Sequence, residues 1–197
     1  MVWGPDYVEV DDLAEFVRIK GVADIPDDTT DDAQLALAIA AASRAIDRHC
    51  RRQFGVVAAP EARRYTVRWR GSYLVADIDD LMTTTGLLVG GLVVASPEFL
   101  PLNAAAEGKP WTTLEVADSA VDDRGRVEVT ALWGWTTVPP SVVEACLLQA
   151  SRVFARRGSP FGVAGSPADG SEIRLLAKVD PDVAVSLEPF RRKARPR

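Results

Sequence analysis

The sequence predicts an α+β fold. A mainly helical core of two long helices plus short terminal helices carries an inserted small antiparallel β-sheet or barrel. Three observations predict it. Apolar residues recur at helical spacing over 31–52 and again over 140–157. Between them, from about Glu61 to Trp135, the period drops to two and turn residues punctuate the chain. At 197 residues the chain has the length of one domain, or of one domain with a large insertion. The expected division is a single domain over 1–197, with N-terminal helices over 1–57, a β-rich insertion over 58–137, and C-terminal helices with a basic tail over 138–197.

The first helix is expected from Asp11 to Lys20. Asp11 or Asp12 can cap it, Leu13, Phe16 and Val17 form one face, and Gly21 ends it. An acidic, turn-rich linker follows through Pro26 and Thr30. The second helix is expected over Asp31–Arg52, with Thr30 as cap and Asp31 and Asp32 at the positive end of the helix dipole. Leu35, Ile39, Ala42, Ile46 and Cys50 make one continuous stripe along it. The run Ala38–Ala42 has little bulk, so another helix can approach closely. Gly55 and Pro60 are read as its stop.

In the middle segment, Arg64–Trp69 alternates polar with apolar, and Gly71-Ser72 turns the chain into Tyr73-Leu74-Val75. Leu87–Val89, Gly90-Gly91 and Leu92–Val94 predict a hairpin with a two-glycine turn. Phe99–Leu102, Thr113–Val116 and Arg126–Thr130 supply further short strands. The third long helix is expected from Pro140 to Arg157, with Ser141 and Glu144 as a capping box and Val143, Leu147, Ala150 and Phe154 as the apolar face. Leu147→Asp is therefore expected to unfold the chain. Ser159–Ser171, rich in Gly, Pro and Ser, is expected to be a loop. Asp180-Pro181 opens a last short helix whose apolar surface comes from Val183, Val185, Leu187 and Phe190.

Net charge is −5, from 23 basic and 28 acidic residues, which argues against a dedicated DNA-binding domain. The basic residues crowd the end, at Arg191, Arg192, Lys193, Arg195 and Arg197; this tail is either an arm for an acidic partner or a solvated terminus. Cys50 and Cys146 are read as small buried hydrophobes, since two cysteines at this distance make neither a zinc spacing nor a disulfide scaffold. No secretory signal or membrane-spanning run is expected.

Chemistry has few candidates. His49 is the single histidine, and its neighbour Cys50 points about 100° away on a helix. Asp77, Asp79 and Asp80 could bind a metal through oxygen, but the spacing lacks the glycine and terminal glutamate of a calcium loop, so solvated loop acids are the simpler account. No phosphate-binding glycine loop is present. The tryptophans Trp3, Trp69, Trp111, Trp133 and Trp135 could stack single-stranded bases, yet arginines closely flank only Trp69, and core or subunit-contact roles are the simpler account of the set. No enzyme activity and no cofactor is expected.

Four segments together carry a resemblance: Val10–Val17; Asp32–Cys50 with Arg52 and Phe54; Thr130–Trp135 leading to Val138-Pro139; and Val143–Arg157 followed by a glycine-rich loop. In order and spacing they resemble the head-to-tail connector (adaptor, or head-completion) proteins of tailed bacteriophages. None of these residues does chemistry, and the β-rich middle is longer than the minimal helical members need.

What the resemblance implies is structural: a non-enzymatic virion protein of the phage neck, made in the host cytoplasm. It implies a homo-oligomeric ring of about a dozen copies joined by heterologous contacts. The ring would bind the portal protein on one side and a stopper or tail-completion protein on the other. DNA would pass through the lumen without sequence-specific binding, and no membrane is involved. Portal docking would fall on the C-terminal segment Asp180–Arg197, on Leu187, Phe190, Arg191, Arg192, Lys193 and Arg195, by folding on binding; deleting that segment is expected to leave the fold intact. Subunit contact would use the second helix, at Leu35, Ile39, Ala42, Arg44 and Arg48. The rivals are another neck component (stopper or tail terminator), a single-stranded nucleic-acid binder using Trp69, and a metal enzyme using Asp77–Asp80.

Overall fold

The computed structural model describes residues 4–19, 31–156, 163–164, 173–174 and 181–192. The chain divides into two compact units. One joins residues 1–53 to 138–197; the other is the continuous stretch 54–137.

The helical unit contains α1 (Val10–Ile19), α2 (Asp32–Cys50), α3 (Pro140–Ala155) and α4 (Pro181–Leu187), with a small ladder of β7 (Val163–Ala164) and β8 (Ile173–Arg174). All five residues of the α2 stripe, Leu35, Ile39, Ala42, Ile46 and Cys50, are buried. Their neighbours come from α1 and, above all, α3. Ala38, Ala42 and Ser43 let α3 come close: the Ser43 hydroxyl lies 3.5 Å from Cys146 Sγ, with both groups buried. α2 ends at Arg51, a non-glycine residue in the left-handed region (φ 56°), whose N–H donates to the Asp47 carbonyl, so the helix stops before Gly55 and Pro60.

Thr30, the expected cap of α2, lies outside the described residues, and the expected capping box of α3 is absent. Asp31 caps α2 with no side-chain hydrogen bond. Pro139 caps α3 and Pro140 takes the first turn, so Ser141 lies inside the helix and the capping box does not form. The buried face of α3 is also rotated from the expected one. It is made of Val142, Ala145, Cys146, Gln149, Ala150 and Phe154, while Val143 and Leu147 are half-exposed. Small residues and a glutamine occupy the buried positions because close helix approach selects for size before hydrophobicity. Leu147→Asp therefore meets partial solvent rather than a closed core.

α4 is part of this core. Val183 and Leu187, four residues apart, are 1% and 0% exposed and pack toward α3. The chain is tied again just beyond, where the Arg192 N–H donates to the Cys50 carbonyl at 2.8 Å. The expectation that residues 180–197 can be removed without damage is thereby overturned.

The second unit is built on one six-stranded antiparallel sheet: β1 (Glu61–Arg70), β2 (Tyr73–Leu81), β3 (Leu88–Val89), β4 (Phe99–Leu100), β5 (Trp111–Glu115) and β6 (Arg126–Ala131), in the order β3-β6-β1-β2-β5-β4. The sheet curls into a half-barrel. β1 changes partner along its length, pairing with β6 over 61–66 and with β2 over 67–70. Curling buries residues on both faces of β2, including the adjacent Val75 and Ala76. The mainly helical core with two long helices is thus corrected: the described helices are four and short, and the sheet is a unit in its own right rather than a small insert. The predicted Gly71 turn is present between β1 and β2. The Gly90-Gly91 turn is also present, with both glycines at positive φ, but only Leu92 bridges back to Val89; Leu92–Val94 forms no second strand.

Trp133-Gly134-Trp135 closes the unit. The Trp133 indole N–H donates to the Glu61 carbonyl at 2.7 Å, and the Trp135 indole N–H donates to the buried Asp80 carboxylate at 2.9 Å. Gly134 N–H donates to the Asp80 carbonyl at 2.7 Å. Tyr65 meets Trp133 edge-on at 5.5 Å, and Phe54 lies 5.2 Å from Trp135. Both indoles are thus buried with their one polar atom satisfied.

Candidate interaction surfaces

The Asp77–Asp80 cluster is not a loop. It lies on β2, and each carboxylate has a partner. Asp77 takes a two-pronged contact from Arg68 and a hydrogen bond from Thr113. Asp79 accepts from Arg63 at 2.9 Å and from Tyr65 Oη at 3.1 Å. Asp80 holds Trp135. Among the described residues no three His, Cys, Asp or Glu side chains gather as a metal site would require. Burial pushes the Tyr65 phenol up, and Asp79 beside it pushes the same way. It remains a neutral hydrogen-bonding group.

The thiols are equally quiet. Burial pushes Cys50 up to about 12 and Cys146 up to about 11, so neither is a thiolate near neutral pH. Asp47 is held above the usual carboxylate range by burial, against the opposing pull of the Tyr7 hydroxyl and Arg44. Arg44 Nε and Asp47 Oδ2 are 2.8 Å apart, an ion pair without hydrogen-bond alignment, and Arg44 also donates to the Pro5 carbonyl. This group ties the segment before α1 to α2. A hollow of about 420 Å³ beside Gly90-Gly91 is lined by Arg64, Glu128, Arg126 and Asp122. Its charges pair off with each other, Arg64 with Glu128 and Arg126 with Asp122, both at 2.9 Å.

The residues expected at subunit contacts divide in two. Leu35, Ile39 and Ala42 are 1%, 2% and 0% exposed, enclosed by the helical unit itself, and so present no surface to a second copy. Arg44 is half-buried in the Tyr7–Asp47 group, and Arg48 is exposed. The docking residues divide likewise. Leu187 is core, Phe190 and Arg192 are half-exposed, and Arg191 is exposed and ion-paired to Glu188 at 3.0 Å. Lys193 and Arg195 lie outside the described residues, as does Trp3. No helix of the described residues is long and apolar enough to cross a membrane.

Exposed apolar side chains mark the remaining surfaces. Trp69 (67%) and Tyr73 (57%) stand at the β1–β2 turn, and Leu92 and Val93 follow the double-glycine turn. The sequence offers Trp69 as a base-stacking candidate. It carries no surface signal at Leu92 and Val93, where alternation predicts a strand. Trp111 instead stacks on Phe99, with centroids 4.7 Å apart.

No known family model matches the chain, and no curated protein matches it significantly. One solved structure shares its architecture: a chain from the neck of an empty GTA particle computed with C6 symmetry. This chain shares the fold of that chain. The match spans 99% of this chain and 95% of that one, at a TM-score of 0.57 and 19% identity. It therefore takes in the helical unit and the sheet unit alike.

Proposed function

We propose that this chain is a structural, non-enzymatic protein of the neck of a phage-like particle, forming a ring that joins the portal to a stopper or tail-completion protein and lets DNA pass. The observation that carries the reading is the end-to-end likeness to a neck chain. A likeness limited to one unit would speak only for a shared module. The six-fold symmetry of that neck supports a ring here, and a ring of about a dozen copies, a multiple of six, is compatible with it. The partnering of the chemistry-bearing groups supports a structural role: the acids of β2 are tied to Arg68, Arg63 and Trp135, and the thiols are buried.

The docking expectation narrows. With Leu187 committed to the core, a portal-binding surface at this end would begin at Phe190 and run onward through the basic residues. The experiment is to mix the purified protein with its cognate portal and image the mixture by negative-stain electron microscopy. An added ring on the portal is expected. A chain truncated after Arg192, which keeps α4, should lose the ring if the basic tail docks. Absence of any added ring with the full chain, across salt conditions, would sink the neck reading.

A further inference from the structure

We propose that the tip of the β1–β2 hairpin is a contact between copies of this chain, docking on the acidic outer face of α1 of a second copy. The inference rests on the ring reading above and names the two surfaces that would join its subunits.

The tip projects beyond its flanking strands. β5 pairs with β2 as far as Val75, with Val116 N–H still donating to the Leu74 carbonyl at 2.8 Å, and β6 pairs with β1 as far as Thr66. Residues 69–73 therefore form a two-stranded tip, and all of them are exposed. Directly paired residues share a face, so Trp69 lies with Leu74, and Arg70 lies with Tyr73 on the other side. The Asp122–Arg126 turn runs alongside, since Val67 N–H donates to the Gly125 carbonyl at 2.9 Å. Gly71 and Gly125 both sit at positive φ, and a Cβ added at either would meet nothing within 4 Å, so both turns stand in open space.

The charge at this tip runs against that of the whole chain. Arg68 is neutralised by Asp77 and Arg126 by Asp122. The side chains of Arg70 and Arg124 have no such partner among the described residues. Even with Asp123 counted, the tip keeps a positive surplus around an exposed indole in a chain of net charge −5. α1 offers the complement. Asp11, Asp12 and Glu15 are exposed on it and Glu9 just before it, with Arg18 as the helix's one cation, and Ile19, at 73% exposure, supplies an apolar seat at its end. Two different patches of one chain that attract each other make a heterologous contact, the kind that closes a ring. Nucleic acid fits the tip less well: two of its four arginines are already neutralised, and the indole shares its face with Leu74 rather than with a cation.

Sedimentation velocity of the full chain, alone and with portal, tests this, with melting curves as the control for folding. The wild type is expected to associate more weakly as salt rises. Arg70→Glu with Arg124→Glu should weaken association roughly tenfold without moving the melting temperature, and adding Asp11→Arg with Glu15→Arg should restore it. Association of the tip variant equal to wild type, or failure of the α1 reversal to restore it, would overturn the contact while leaving the neck role intact. A wild type that forms no oligomer alone or on the portal would overturn both readings. Oligonucleotide quenching of tryptophan emission that vanishes in Trp69→Phe would overturn this contact and assign the tip to nucleic acid.

Discussion

The two units solve the problem of a closed core in opposite ways. The helical unit is assembled from the two ends of the chain and closes through smallness: Ala38, Ala42, Ser43, Ala145 and Ala150 let α2 and α3 approach. The sheet unit is continuous in sequence and closes through bulk, with Trp133, Trp135, Phe54 and Tyr65 filling the hollow of a curled sheet and each indole N–H satisfied. Small-residue packing loses modest area per residue but tolerates no added volume. Bulk packing concentrates stability in a few side chains, so a single truncation there has a large effect.

The sharpest way to break that comparison is Trp133→Ala. It removes the largest fully buried side chain and frees the Glu61 carbonyl, at a cost of about 3–5 kcal/mol. Denaturant unfolding followed by tryptophan emission should show the loss. Far-ultraviolet circular dichroism at 222 nm should keep most of its helical signal, because the helical unit has its own core. Parallel collapse of both signals would mean the two units fold as one cooperative body.

Leu187→Ala tests the helical unit. Leu187 is fully buried on α4, so about 2–4 kcal/mol is expected, against less than about 1.5 kcal/mol for Leu147→Ala on the half-exposed side of α3. Equal melting-temperature losses for the two would refute the rotated face of α3. Asp80→Ala should cost about 1–3 kcal/mol, because the Trp135 indole N–H is left buried without an acceptor. Asp80→Asn, which retains an acceptor oxygen, should recover most of it in the same urea titration.

These contrasts also explain what was legible in the sequence. The α2 stripe is legible because Leu35, Ile39 and Ile46 are bulky and recur at helical spacing within its 19 residues. The face of α3 was not, because Val143 and Leu147 outweigh Ala145 and Gln149 on any hydrophobic pattern although the smaller pair is the one enclosed. The spacing of Val183 and Leu187 was visible, but sequence cannot tell an apolar face kept for the chain itself from one kept for a partner. In the sequence β2 reads as ending after Val75, because Asp77, Asp79 and Asp80 look like a loop. Their partners, Arg68, Arg63 and Trp135, become neighbours only after the sheet forms. That hidden strand also makes the sheet look like a small insert in the sequence. The tip at Trp69 is half-legible: the flanking arginines are visible in the sequence, the neutralisation of Arg68 by Asp77 is not.

The smallest expected effect concerns the buried thiols and belongs to the helical unit alone. Cys146 and Cys50 have folded-state values of about 11 and about 12, against an ordinary value of 9.0. Both are raised, so the folded state holds these protons more tightly than the unfolded chain does. Their contribution to stability is fully present below pH 9 and is lost as pH climbs toward the folded values. By pH 10 the loss is about 1 kcal/mol per thiol, since each unit of pH in this window is worth about 1.4 kcal/mol. Lysines and tyrosines also titrate there, so the informative quantity is a difference between variants. Cys146→Ala should be less stable than wild type at pH 8, and its urea midpoint should fall less steeply between pH 8.5 and 10. Parallel slopes would mean that Cys146 ionises in the folded protein as readily as in the unfolded one. The close α2–α3 seam that buries it would then be open to water, and the contrast between a tight helical seam and a bulky sheet core would fail at its tightest point.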